Sequence, residues 1–128
     1  VIAAIGMMFF FFREDTAKLE RNLYYDMEDI NRLAIEFMTE MVNKVSGGYY
    51  NETVLTENIK LMEKKVNNLQ PPRHLKDEVD DWAEQIKLSI EIFRQMKSGY
   101  PVYLGNEQLE AFDHGRERIY DGFKKFSP

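Results

Sequence analysis

A chain of 128 residues, 30% of them charged, with a net charge of −5, is long enough to bury one hydrophobic core beneath a well-hydrated surface. The absence of cysteine excludes disulfides, thiolate metal sites and thiol nucleophiles. The acidic balance argues against nucleic acid as a partner, because the densest positive spots, Lys64-Lys65 and Lys124-Lys125, do not extend into a stripe that could follow a phosphate backbone.

Val1 to Phe12 carry no charge and no hydrogen-bonding side chain, and the sequence turns strongly charged at Arg13-Glu14-Asp15. Being apolar all the way round, this stretch lacks the polar positions that a core helix interleaves. It is shorter than the roughly 20 residues a spanning helix needs. The chain starts with Val, so residues 1–13 are expected to be a truncated transmembrane helix. Ile5, Met8, Phe9, Phe10, Phe11 and Phe12 would make its membrane contact. A buried N-terminal segment or a signal-peptide remnant is the alternative. Residues 14–128 read as one domain.

Four amphipathic segments follow. From about Asp15 to Val45, the residues Leu19, Leu23, Met27, Ile30, Ala34, Phe37, Met41 and Val45 step by three or four, which predicts a long helix ended by Ser46-Gly47-Gly48. Leu55, Ile59, Met62, Val66 and Leu69 form a strict heptad stripe that Pro71-Pro72 stops. The same prolines can open a third helix, whose early Asp77, Glu78, Asp80 and Asp81 suit the positive end of the helix dipole. Its inward face is Leu75, Val79, Trp82, Ile86, Ile90 and Phe93, with Ser98-Gly99 as terminator. Asn106 is the expected cap of a fourth helix carrying Leu109, Phe112, Ile119, Phe123 and Phe126. Gly115 and Gly122 would cost that helix about 1 kcal/mol each, while leaving notches where a neighbour can approach closely. Short connections between such helices predict an all-α fold, an antiparallel up-down four-helix bundle with an apolar N-terminal helical extension.

The run Leu69-x-Pro71-Pro72-x-x-Leu75-Lys76, closing a heptad-like helix and leading into an acidic one, resembles small uncharacterised extracytoplasmic helical proteins of Gram-positive bacteria, of lipoprotein or single-pass membrane type. The resemblance covers about residues 55 to 95. It implies a helical surface domain at the cell membrane, on the extracytoplasmic side, with no assigned activity. The missing lipid-bearing cysteine departs from the lipoprotein version and favours a transmembrane tether.

Catalytic, metal and cofactor sites are not expected. A di-metal bundle wants Glu-x-x-His pairs, but Glu110 and His114 stand four apart, and His74 has no ligand a turn before it. Both histidines are expected to be solvated or capping residues. The acidic run Asp77 to Asp81 lacks the glycine-turned loop of an EF-hand, and Asn51-Glu52-Thr53 is a bare glycosylation pattern. The candidate partner surface is aromatic: Tyr49 and Tyr50 in the first loop, with Tyr100 and Tyr103 in the third, which the bundle would place side by side. Rings folded inward over the core are the competing reading. The expected function is therefore non-enzymatic, a membrane-tethered bundle serving protein interaction or self-association. The ligand-sensing ectodomain of a two-span receptor and a metal-binding bundle enzyme are the alternatives.

Overall fold

A computed structural model describes residues 2–99 and 106–126, with side chains described for 15–99 and 110–125. The protein is all-helical, and no strand occurs among the described residues. Helix α1 is Ile2–Val45, α2 is Glu52–Asn67, α3 is Lys76–Lys97 and α4 is Asn106–Phe126, with a 3-10 turn at Arg73–Leu75 before α3.

Turn chemistry sets these limits. Helix α1 stops where the Gly48 N–H donates to Asn43 O at 2.9 Å, with Gly47 at φ 79°, a left-handed conformation that glycine adopts at little cost. Helix α2 opens at Asn51, whose Oδ1 accepts from the N–H groups of Thr53 at 3.0 Å and Val54 at 3.3 Å, so two otherwise orphaned donors are satisfied. The prolines do not open α3. Pro72 is extended, at ψ 155°, and its carbonyl accepts from Leu75 N, which closes the 3-10 turn and delays the α-helix to Lys76. The first proline biases its successor's backbone little, but each disfavours a helical predecessor, so a Pro-Pro pair leads in more readily as extended chain.

The predicted stripes make the core. Leu23, Met27, Ile30, Ala34, Phe37 and Met41 of α1 are buried together with Leu55, Ile59, Met62 and Val66 of α2. Leu75 and then Val79, Trp82, Ile86, Ile90 and Phe93 of α3 join Phe112, Ile119 and Phe123 of α4. At the centre, Phe37 stacks on Phe93 with ring centroids 4.8 Å apart, and Phe93 faces Phe112 at 6.4 Å, which ties three helices through one aromatic column. Three positions differ from the α1 stripe, the first being Leu19, which is only partly buried. Val45 is 80% exposed because α1 ends there, and Leu33, which the stripe skipped, is buried. Helix α1 contacts α2 and α4, and α3 contacts the same two.

The expectations of a membrane protein, of a single-pass transmembrane helix at 1–13 and of a location at the cell membrane are corrected. No helix among the described residues is long and apolar enough to cross a membrane. The reason is length: twelve apolar residues rise only about 18 Å along a helix axis, against a hydrocarbon core of about 30 Å. The charges of Arg13, Glu14 and Asp15 then follow in the same continuous helix. The side chains of Ile5, Met8, Phe9, Phe10, Phe11 and Phe12, assigned to membrane contact, lie outside the described residues.

Candidate functional site: an aromatic seam and a polar groove

Tyr49 is fully exposed and Tyr50 43% exposed, with Lys44 Nζ 5.3 Å from the Tyr50 ring centroid. These two rings therefore do not fold inward over the core. Tyr100 and Tyr103 lie outside the described residues, so the expected gathering of four tyrosines is represented by two.

A second aromatic surface lies elsewhere. On one face of α1, Tyr24 and Tyr25 are 38% and 64% exposed, and on α4 Tyr120 is 44% exposed. Tyr24 meets Tyr25 edge-on at 5.8 Å and tilts against Tyr120 at 6.1 Å. Lys124 sits 4.7 Å from the Tyr120 centroid, within cation–π range. One turn further along both helices, Arg116 Nη1 donates to Glu28 Oε1 at 2.5 Å, which fixes the register of the seam. Three ring faces thus form a contiguous half-polar patch held by an ion pair. Sequence reasoning missed it because the pairing of Tyr24 with Tyr120 depends on which helices are neighbours. Heptad stepping could have found it, since Glu28 follows Tyr24 by four and Arg116 precedes Tyr120 by four.

The histidines part company. His114 is exposed, whereas His74 is only 21% exposed and its Nε2 lies 3.3 Å from Glu20 Oε1, so it links the turn before α3 to α1 rather than standing in solvent. Of the acidic run, Asp77 and Glu78 occupy the first turn of α3. Asp80 accepts from Lys76 Nζ at 2.6 Å, and that hydrogen bond holds the lysine pKa above its ordinary value. Among the described residues, no group of three or more His, Asp or Glu is placed to hold a metal ion.

A groove follows the α3/α4 seam in two neighbouring parts, of about 300 and 470 Å³, that share Asp81 and Arg118 in their lining. Its lining includes Glu78, Gly115 and Ile119 in the narrower part, and Trp82, Gln85 and His114 in the wider one. The pyrrole edge of Trp82 lies against Gly115: a methyl group placed on Gly115 would overlap Cδ1 and come within 2.8 Å of Nε1. Trp82 is 2% exposed and its Nε1 has no hydrogen-bond acceptor among the described residues, a deficit that costs about 1–3 kcal/mol when a donor is buried. Gly122 serves the same purpose one layer on, where a methyl would stand 2.6 Å from Leu75 Cδ2.

No family, curated protein or solved structure matches the chain.

Proposed function

We propose that the chain is a non-enzymatic antiparallel four-helix bundle that docks a protein partner, or a second copy of itself, on the seam of α1 and α4. The antiparallel arrangement is supported by contacts whose numbering runs in opposite senses on paired helices. Between α1 and α2, Glu40 accepts from the backbone of Asn51, Glu36 from Asn58, and Asp29 pairs with Lys65. Between α3 and α4, Trp82 meets Gly115 and Leu75 meets Gly122. Between α1 and α4, Tyr24 meets Tyr120 and Glu28 meets Arg116.

The observation that carries the functional reading is the exposed cluster of Tyr24, Tyr25 and Tyr120. Tyrosine offers large contact area with few rotatable bonds, and clusters of it are favoured where a surface recognises another protein. Rings already packed against one another lose little further freedom on binding. A photoreactive phenylalanine analogue at position 25, introduced into the full chain in its cell of origin, tests this. A discrete covalent adduct is expected, to a partner or to a second copy, and it should fall several-fold when Tyr24 and Tyr120 are both serine. An adduct insensitive to that double substitution, or none, overturns the reading.

A further inference from the structure

We propose that the α3/α4 groove binds a small zwitterion of the α-amino acid class, independently of the aromatic seam. The argument begins with what joins the helices. Each other pair of neighbouring helices is bridged by charge: α1 to α2 by Lys65 with Asp26 and Asp29, α2 to α3 by Arg94 with Glu63, and α1 to α4 by Arg116 with Glu28. Across α3/α4, among the described residues, no side-chain hydrogen bond or ion pair runs, although the groove there holds Asp81 from one helix and Arg118 from the other.

Both groups line both parts of the groove, and neither has an ion-pair partner among the described residues. By contrast, the neighbouring Glu84 is held by Lys87 at 3.4 Å and Asp80 by Lys76. A ligand carrying a carboxylate and an ammonium on the same carbon meets both demands, the carboxylate toward Arg118 and the ammonium toward Asp81. It would supply the polar bridge that this seam alone lacks. A simple anion would face Asp81, Glu78 and Asp121 uncompensated, and a simple cation would leave Arg118 unmatched.

The Trp82 N–H is a second, independent pointer to an acceptor oxygen. It is a buried donor with no partner among the described residues, on a side chain that lines the wider part, beside Gly115, which lines the narrower one. The nitrogen is covered by its contact with Gly115 in the unliganded fold, so binding as proposed includes a parting of the two helices at that glycine. Trp82 is the sole tryptophan, and its fluorescence would therefore report occupancy directly.

The test titrates the full chain with glycine, L-leucine, L-glutamate and L-lysine, and with acetate and ethylammonium as single-charge controls. Trp82 emission and calorimetry are both followed. At least one amino acid should give a saturable change with Kd below about 1 mM, and neither control should. Arg118→Gln and Asp81→Asn, both at exposed positions, should each weaken binding about tenfold or more while the helical signal is unchanged. No saturation by any amino acid, a response to acetate or ethylammonium equal to that of the amino acids, or variants that bind like the parent would each overturn the proposal.

Discussion

The two long seams of the molecule are built by opposite means. Between α1 and α2 the contact is written in polar side chains: buried Asn58 donates from Nδ2 to Leu33 O and to Glu36 Oε2, both at 3.1 Å, and Lys65 reaches Asp26 and Asp29. Between α3 and α4 it is written in shape, with Trp82 seated against Gly115 and Leu75 against Gly122. Directional bonds fix register by geometry and are lost one at a time, whereas a close-packed notch tolerates no added atom without moving a neighbour.

Substitutions that exploit this difference should rank as follows. Trp82→Ala removes the whole knob from the α3/α4 seam and should cost about 3–5 kcal/mol in denaturant unfolding. A smaller loss would mean that the seam collapses around the cavity. Gly115→Ala forces a methyl into the indole, and should cost about 1–3 kcal/mol through overpacking, offset by up to about 1 kcal/mol of helix propensity. Gly122→Ala should cost less, because the atom it meets is the end of the flexible Leu75 side chain. If the two glycine variants were equally damaging, shape would not be what distinguishes them.

On the other seam, Asn58→Asp places a carboxylate beside Glu36 and should cost about 1–3 kcal/mol, whereas Asn58→Leu should be much milder, because it deletes the donor without leaving an unpaired charge. Equal losses for Asp and Leu would show that volume, not hydrogen bonding, governs that position. Asn51→Ala removes the cap of α2 and should cost about 1 kcal/mol.

The smallest effect concerns Lys76, whose pKa is raised by the hydrogen bond to Asp80 and by its charge. A raised folded pKa contributes stability that is complete below the unfolded lysine value and is lost as pH rises through the folded one, so only alkaline solution should remove it. Asp80→Asn should lower the Lys76 titration observed by NMR and slightly lower the melting midpoint near neutral pH, a difference that should vanish as pH rises past the lysine pKa.

Much of the fold was legible because one-dimensional spacing carries it. The six inward residues predicted for the third helix, Leu75 to Phe93, are all buried, as are four of the five in the second stripe, with Leu69 partly buried at its end. Ser46-Gly47-Gly48 and Ser98-Gly99 stop their helices for the conformational reasons read from the sequence. Gly115 and Gly122 are the notches that spacing suggested, but only three dimensions show that Trp82 and Leu75 fill them.

Long-range pairings were not legible. Nothing local distinguishes Tyr24 and Tyr120 from scattered surface tyrosines, and His74 reads as solvated until α1 brings Glu20 beside it. The start of α3 was missed for a different reason: proline at a first helical turn and proline in an extended lead-in look identical in sequence, and ψ at Pro72 decides between them. The apolar leader misled through composition, since a run with the right chemistry for lipid was credited with a length that the described helices do not have.

The Lys65 contacts have a consequence for how the molecule responds to added salt. Exposed and half-exposed charges separated by solvent lose their attraction once ions crowd within a Debye length of about 8 Å at 0.15 M, so sodium chloride should slacken the first two helices against each other. Sulfate, which is excluded from protein surfaces, strengthens burial of apolar groups, and should tighten the indole in its glycine notch. The same protein therefore holds one joint that brine loosens and another that a kosmotrope grips.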